Sequence, residues 1–414
     1  MLKKNKPIWV FVAICFLFLG LRFAYWMKIT EEPFSDMYDY FKIATILYDN
    51  LAFKIEGFWQ SYKPPTFPIL ISFYFFIRQS FDLDIWAPFQ VSIHFLSLLI
   101  LFRYLYNDDR LRRYFLFMFG LVAVSLSSVF WSFKLSTEYF SEIFIVVLTW
   151  CYLNLHRKPS IKWTILSGFL TMAAIFHRPQ FLMVTSIPIV ILLLSWPLKK
   201  SALKNLAILG ITMFLVWLPW GLRAKELYGK FLFTSTQGPY SFLWELGEMK
   251  SVDSAEKTTI DKLQDSATRM FANDYQAMEY ANQHVKLWIK DNWSEYIFEV
   301  IPRRIAYSLV STDEGLTKVD RNTLFYSDLD KLILNKHWWF IALGVLGFLI
   351  GGFRDARVWI LAGPSLLLWL FGCLFLSYPR ILDPSIPYLM SGSFFLFSTG
   401  YDFWMKRRAA SKDQ

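Results

Sequence analysis

The feature that most constrains this chain is a series of apolar segments, most of them roughly 20 residues long, the length of a helix that crosses about 30 Å of hydrocarbon. Because lipid offers no hydrogen-bond partners to a backbone, only helices and closed barrels span it. The sequence therefore predicts an all-α polytopic membrane protein with about ten transmembrane helices. The predicted spans are residues 8–27, 85–106, 113–131, 139–155, 161–176, 181–198, 202–220, 337–350, 358–375 and 385–404.

The charge pattern supports this fold and predicts its orientation. The formal net charge is +10, but the Lys and Arg residues lie mainly at the ends of the apolar segments. That is how membrane topology is encoded, so we predict membrane-lipid contacts and no nucleic-acid partner. If the short apolar stretch 67–77 stays outside, every inner connection is basic. This placement predicts cytoplasmic N- and C-termini in an inner or plasma membrane, with Asp36 outside. Each of the three cysteines lies inside an apolar segment and is interpreted as a buried hydrophobe.

The same topology divides the chain into three regions. Residues 1–220 would form a transmembrane catalytic module with a first external loop at 28–84, residues 221–336 an external loop domain, and residues 337–414 the last transmembrane helices and a cytoplasmic tail. Within the external domain, Asp253 and Glu256 have the spacing of a helix-starting capping box. Two stretches there have the 3.6-residue periodicity of amphipathic helices. They are residues 260–289 and 293–309.

An acidic cluster, Asp36 and Asp39, follows the first predicted span. Ionisable side chains at a membrane boundary are costly and tend to mark substrate paths. Asp36 shares a helical face with Tyr40 and Ala44, at spacings of four residues. Ser35 or Asp36 could serve only as a helix cap, whereas a carboxylate here could also take a proton from an attacking hydroxyl group. The residues alone leave both interpretations open.

A lysine follows in the sequence Tyr62-Lys63-Pro64-Pro65. The prolines stiffen the loop, and Lys63 could simply mark the boundary with water. A lysine held by two prolines beside the membrane would also provide a fixed cation for a lipid phosphate.

Further charged candidates lie on the same predicted side. Glu138 and Glu142 begin the fourth span one turn apart, and the helix dipole explains only one of them. Arg178 and Arg380 each close an external turn; arginine suits bidentate phosphate contacts, although interfacial arginines also snorkel. His177 is interpreted as a hydrogen-bonding residue, because the five histidines show no metal-ligand spacing.

With these elements in order, the sequence resembles the GT-C superfamily of integral-membrane glycosyltransferases. The resemblance is closest to the branch of bacterial aminoarabinose transferases and protein O-mannosyltransferases, and it covers most of the chain as a series of short motifs. In chain order they are Ser35-Asp36-Met37, Lys63-Pro64-Pro65, Trp131-Ser132 through Ser136-Thr137-Glu138, Ser167-Gly168 through His177-Arg178-Pro179, Leu218-Pro219-Trp220-Gly221-Leu222-Arg223, and Arg380-Ile381-Leu382-Asp383-Pro384 with Pro387.

The resemblance implies a GT-C fold in which residues 67–77 form a juxtamembrane helix. It implies inverting transfer of a hexosyl or pentosyl unit from a polyprenyl-phosphate sugar to an acceptor hydroxyl on a lipid or glycan. Asp36 would be the general base and Glu138 a second catalytic carboxylate. Tyr62 stands where some relatives carry an acidic metal contact, so we predict no metal and no other cofactor. The remaining predicted substrate or phosphate contacts are Lys63, Arg178, Arg380, Arg223, Asp39, His177 and Tyr62.

Two other functions use the same side chains. A lipid-linked sugar flippase or transporter would hold a head group with these cations, but it needs access from both membrane faces and often has inverted repeats, which the sequence lacks. A polysaccharide polymerase or ligase shares the lipid-phosphate donor and differs in its acceptor. The sequence specifies neither the sugar nor the acceptor.

Overall fold

The computed structural model describes residues 6–27, 36–51, 53, 60–194, 199–239, 241–242, 270–310, 338–375 and 385–410. Within these ranges every regular element is a helix, which confirms the predicted all-α fold. Among these described residues, five helices are long and apolar enough to cross a membrane, and four shorter apolar helices accompany them. The five long ones begin at Ile8, Trp86, Thr137, Ser201 and Ala356.

The first half of the chain contains nine α-helices and one 3₁₀ segment among its described residues. They are α1 (Lys6–Trp26), α2 (Asp36–Asn50), α3 (Thr66–Arg78), α4 (Trp86–Leu105), α5 (Asp109–Val124), α6 (Leu126–Trp131), α7 (Thr137–Arg157), α8 (Ile161–His177), the 3₁₀ segment Pro179–Thr185 and α9 (Ser186–Leu194).

The second half, where described, is helical as well. Its elements are α10 (Lys199–Tyr228), α11 (Asp274–Asp291), the short helix Trp293–Glu295, the π-helical turn Tyr296–Val300, α12 (Ile301–Val310), α13 (Trp338–Gly352), α14 (Ala356–Phe375), α15 (Ile386–Ser391) and α16 (Ser393–Ala410).

Where their residues are described, all ten predicted spans coincide with helices, but three of them are interrupted. Between α5 and α6 the backbone of Ser125 is extended, and its hydroxyl accepts from the Ser128 amide to start a new helix. The span after Arg178 begins as a 3₁₀ segment, and Pro188 has no N–H to donate to the preceding turn. The last span breaks between α15 and α16 at Gly392, which packs closely against α13.

The predicted external domain is described in part. Helix α11 covers the second half of the stretch predicted at 260–289, and Asn273 caps it by accepting from the Gln276 amide. The capping box predicted at Asp253 and Glu256 lies outside the described residues, and so does Arg380. Helix α10 continues without a break through residue 220, so the proposed division of the chain at that residue stays a prediction.

Helix α7 is the central helix of the bundle. Most of its side chains are buried, and it packs against α4, α8 and α14. At its far end from Thr137, an ion-pair cluster ties the start of α5 to the start of α14: Arg357 Nη1 lies 2.9 Å from Asp108 and its Nη2 lies 2.8 Å from Asp355. Helix α4 ends at Leu105, shortly before Asp108, and begins at Trp86, whose ring lies against Phe67. Phe67 in turn packs against Tyr40, one helical turn from Asp36. The charged residues near Asp36 therefore occupy the opposite end of the bundle.

Candidate active site

The structure joins the two strongest sequence candidates in one ion pair. Asp36 is the first residue of α2, and its Oδ1 accepts from the Lys63 ammonium at 2.7 Å. The lysine side chain is only 2% exposed, whereas the aspartate side chain is 41% exposed. The cation is therefore enclosed by the protein, while the carboxylate remains open to a molecule approaching this end of the bundle.

The surroundings of Lys63 fix its ammonium in place. Its Nζ lies 5.2 Å from the Tyr40 ring centroid and 5.0 Å from that of Tyr62, distances that allow cation–π attraction. The Pro65 carbonyl accepts the Ile69 amide and so begins α3 directly after the lysine. Burial raises the pKa of Tyr62 to about 12, with the carboxylates of Asp36 and Asp39 adding to the shift, so its phenol stays neutral.

Asp39 occupies the edge of the same pair. Its Oδ2 lies 3.9 Å from the Lys63 ammonium, and half of its side chain is exposed. Desolvation raises its pKa above the ordinary aspartate value; Asp36 adds to this rise, and Lys63 and Lys42 oppose it. Of the two aspartates, Asp36 makes the close contact with the lysine.

A second ion pair, which is buried, lies at the start of α7. Arg178 Nη2 and Glu138 Oε1 are 2.6 Å apart, with side chains 8% and 7% exposed. Arg178 Nε also donates to the Thr137 hydroxyl at 2.9 Å, and His177 Nε2 donates to the Thr137 carbonyl at 2.8 Å. Buried Gln90 donates to the carbonyls of Ser132 and Lys134 in the preceding turn. The hairpin after α8 is thus fixed to the first turn of α7.

The two ion pairs lie in one neighbourhood, on either side of the Phe67 ring. Phe67 is completely buried at the start of α3. Its ring centroid lies 5.0 Å from that of Tyr40, against which Lys63 packs, and 5.7 Å from that of His177. The structure therefore brings Lys63 and Arg178, which are more than one hundred residues apart in the sequence, into one neighbourhood.

Arg223 lies nearby, but its guanidinium makes contacts of its own. It donates to the backbone carbonyls of Phe53 and Gln60 and to the Ser61 hydroxyl, at 2.9–3.1 Å. It also lies over the Trp220 ring, 4.9 Å from the centroid. Any phosphate bound by Arg223 would have to displace these contacts, which hold the loop that leads to Lys63.

A third polar cluster, formed by Arg22, Ser128, Tyr139 and Glu142, is buried between α1 and α7. Of its members, only Glu142 was singled out from the sequence. Arg22 is 1% exposed and donates to the Ser128 hydroxyl at 2.7 Å, and that hydroxyl donates to Glu142 at 2.7 Å. Arg22 also donates to the Tyr139 hydroxyl at 3.3 Å. The signal was in the sequence: an arginine inside an apolar segment is costly unless it has buried partners.

The charged groups of this end suit an anionic ligand next to an accessible carboxylate. Enclosed cations next to a half-exposed carboxylate can hold a phosphate and accept a proton at adjacent positions. Across the described portions of the chain, no group of three or more His, Cys, Asp or Glu residues is arranged to hold a metal ion.

Comparison with solved structures assigns the architecture. No protein-family model and no curated protein matches the sequence. An oligosaccharyltransferase, AglB, from the archaeon Archaeoglobus fulgidus, in complex with an inhibitory peptide and a dolichol-phosphate, matches 100% of this chain with a TM-score of 0.52 at 13% identity. The apo form of the Archaeoglobus fulgidus enzyme matches with a TM-score of 0.53 at 14% identity, again over 100% of this chain.

A third structure of the archaeal enzyme, tethered to an acceptor peptide through a disulfide bond, matches 99% of this chain with a TM-score of 0.52 at 14% identity. The chain spans about half the length of these enzymes, since the matches cover 51–52% of them. At this level of identity the matches establish the fold and no particular branch. The chain is a multi-pass membrane protein with the GT-C fold that its sequence motifs imply.

Proposed function

We propose that this protein is a glycosyltransferase that moves a sugar from a polyprenyl-phosphate donor to an acceptor hydroxyl on the extracytoplasmic face of the membrane. The observation that carries the proposal is the half-exposed Asp36 carboxylate, 2.7 Å from the enclosed Lys63 ammonium. The similar archaeal structures, solved with dolichol-phosphate and with an acceptor peptide, support a lipid-linked donor and a separate acceptor as partners.

In the proposed mechanism, the donor phosphate competes with Asp36 for the Lys63 ammonium. When the phosphate takes that contact, the Asp36 carboxylate loses its cationic partner and becomes a stronger proton acceptor. It then takes the proton of the acceptor hydroxyl, whose oxygen attacks the anomeric carbon while the bond to the phosphate breaks, with inversion. Lys63 stabilises the charge that develops on the leaving phosphate.

Arg178 is the second proposed source of positive charge, and Glu138 holds it in place until the donor arrives. Since Glu138 is buried against Arg178, contact between Arg178 and a phosphate requires that this pair open. The proposed roles of Arg380 in binding phosphate, of Asp39, Tyr62 and His177 in binding substrate, and of Glu138 in catalysis stay predictions.

The extracytoplasmic placement follows from charge. Basic connections lie at the Arg357 end, which the positive-inside rule assigns to the cytoplasm. The Asp36 end is then outside, in an inner or plasma membrane. A transporter would also need a path to the Arg357 end, whereas the accessible carboxylate serves chemistry at one face; this favours a transferase. A polymerase or ligase would use the same site with a glycan acceptor.

The test of the general base is a comparison of Asp36→Asn with Asp39→Asn in purified protein. The assay measures release of polyprenyl phosphate from a panel of polyprenyl-phosphate sugars. We expect Asp36→Asn to lower kcat by at least ~10², the scale of general-base catalysis, and Asp39→Asn to retain most of its activity. Asp84→Asn, at an exposed aspartate of the same end, is the matched control. Full activity in Asp36→Asn would refute the assignment.

The phosphate role of Lys63 is tested separately by binding of undecaprenyl phosphate, with undecaprenol as the lipid that lacks the phosphate. Lys63→Ala should weaken the binding of undecaprenyl phosphate by roughly 10–100-fold, as expected for one charge-assisted contact, and leave the binding of undecaprenol unchanged. Equal loss for both lipids would mean that the lysine supports the lipid site without contacting the phosphate.

A further inference from the structure

We propose that Asp274, in the first turn of α11, is a positioning residue that sets the location of the Lys63 ammonium and so couples the segment after α10 to the lipid-phosphate site. The role in lipid-phosphate binding rests on the proposed function, but the hydrogen bonds from which the inference is argued do not depend on that function. Asp274 is far from Lys63 in the sequence, and no motif marks it.

Asp274 is a buried carboxylate whose two oxygens both have hydrogen-bond partners. It has no exposed surface. Its Oδ2 accepts from the Ser61 amide at 2.8 Å and from the Thr236 hydroxyl at 3.0 Å, and its Oδ1 lies 2.8 Å from the Tyr228 hydroxyl. Burying a carboxylate without hydrogen-bond donors is costly, so this arrangement is specific and not a solvated surface contact.

Every polar group of Ser61 is bound by elements outside its own loop. Its amide donates to Asp274, and its carbonyl accepts the Thr236 amide at 3.0 Å. Its hydroxyl accepts from Arg223 Nη1 at 2.9 Å and lies 2.8 Å from the Tyr228 hydroxyl. Together, Ser61, Arg223, Tyr228, Thr236 and Asp274 form a closed cluster, which we call the Ser61 cluster.

The Ser61 cluster is two residues from the lysine. Two residues span at most about 7 Å of extended backbone, so Ser61 cannot shift without moving Lys63 or its neighbour. On the other side, Pro64 and Pro65 lead directly into α3 and restrict the backbone. Tyr62 is held as well, through a side-chain hydrogen bond with Gln237, which belongs to the same segment as Thr236. The lysine is therefore fixed from both sides.

The consequence is a link between the segment after α10 and donor binding. Thr236 and Asp274 bind this segment to Ser61, and the same hydrogen bonds hold the backbone before Lys63. Loss of the Asp274 carboxylate would remove the acceptor of the Ser61 amide, and the backbone before Lys63 would then hold the ammonium less firmly next to Asp36 and Tyr40.

The experiment compares Asp274→Ala and Asp274→Asn with Glu279→Gln, which alters an exposed ion pair on the same helix. The first readout is the rate at which an amine reagent labels Lys63, followed by mass spectrometry; the buried lysine should react slowly in the wild type. Asp274→Ala should raise that rate about tenfold. It should weaken the binding of undecaprenyl phosphate by a similar factor, which is the effect expected for loss of one charge-assisted contact. Asp274→Asn should lie in between, because an amide oxygen can still accept from Ser61, and Glu279→Gln should match the wild type.

A double-mutant cycle distinguishes positioning from general destabilisation. If Asp274 acts through Lys63, the Asp274→Ala/Lys63→Ala variant should bind undecaprenyl phosphate no more weakly than Lys63→Ala alone. Additive losses, or unchanged Lys63 labelling in Asp274→Ala, would overturn the proposal. If Asp274→Ala does not fold, Tyr228→Phe, which removes one hydroxyl from the Ser61 cluster, replaces it in the same cycle.

The result also separates the two proposals. Faster labelling of Lys63 together with unchanged lipid binding in Lys63→Ala would support the positional effect of Asp274 and remove the phosphate role from the proposed function. Slow labelling in all variants together with weakened binding in Lys63→Ala would keep the proposed function and refute the role of Asp274.

Discussion

Replacing Glu138 by Gln removes one charge from a buried ion pair while keeping the side chain's shape. Arg178 then retains its hydrogen bond to the Thr137 hydroxyl but loses the carboxylate 2.6 Å from its Nη2. Because both side chains are less than one-tenth exposed, water does not replace the lost partner. Removing one partner of a buried ion pair costs about 3–5 kcal/mol of the free energy of unfolding.

The reverse substitution and the double variant provide the rest of the cycle. Arg178→Gln should destabilise the protein by a similar amount, because it leaves the Glu138 carboxylate buried without its cation. The double variant carries two neutral amides that can hydrogen-bond to each other, so it should be more stable than the sum of the single losses predicts. We expect a coupling energy at the upper end of the roughly 0.5–3 kcal/mol seen for residues in contact.

The measurement is unfolding of the purified protein in mixed micelles of increasing denaturing detergent, followed by helical circular dichroism. The exposed pair Arg78–Asp84, at the same end of the bundle, provides the matched control cycle. Its coupling should stay below about 1 kcal/mol, as for other surface ion pairs. If the Glu138–Arg178 coupling is no larger than that of the control pair, the two side chains are solvated and the buried geometry is wrong.

Three further outcomes are expected. A methyl group on Gly347 would overlap the carbonyl oxygen of Gly392, so Gly347→Ala should lower the midpoint of thermal unfolding sharply, whereas Gly120→Ala, which meets open space, should not. The pKa of Asp39 is raised in the folded state, so ionisation of its carboxyl group destabilises the fold as the pH rises above the ordinary aspartate pKa. Asp39→Asn should therefore unfold at a higher temperature than the wild type at neutral pH. This gain should vanish at low pH. Arg22→Met should lower the unfolding midpoint, because it removes the hydrogen bonds that the buried Arg22 guanidinium donates to the Ser128 and Tyr139 hydroxyls.

The helices follow from local sequence, whereas their interruptions do not follow from it alone. Apolar segments of membrane length predict where helices form, because the backbone must bond to itself in lipid. The breaks at Ser125 and Gly392 depend on a hydroxyl cap and on a close helix crossing. Both residues are present in the sequence, but a serine or glycine within an apolar segment is more often accommodated without a break, so the pattern alone did not reveal them.

The site was predictable as a set of residues but not as a set of contacts. Topology placed Asp36, Lys63 and Arg178 on one side, yet it gave no distances between side chains that are separated along the chain. Consequently, it did not predict that Lys63 contacts the carboxylate of the predicted base, or that Arg223 binds backbone carbonyls of the preceding loop. Such contacts arise from the packing of whole helices and cannot be derived from spacing.

Exposure distinguishes the roles that we propose for Asp36 and Glu138. A general base must contact the hydroxyl group whose proton it takes, and 41% of the Asp36 side chain is open to such a group. Glu138 is enclosed and faces a guanidinium, which suits a residue that holds Arg178 in place. Because Lys63 is enclosed while its partner is open, a phosphate that approached over Asp36 would place the proposed base beside the leaving group. That proximity is the geometric reason to expect transfer, and not merely lipid binding, at this site.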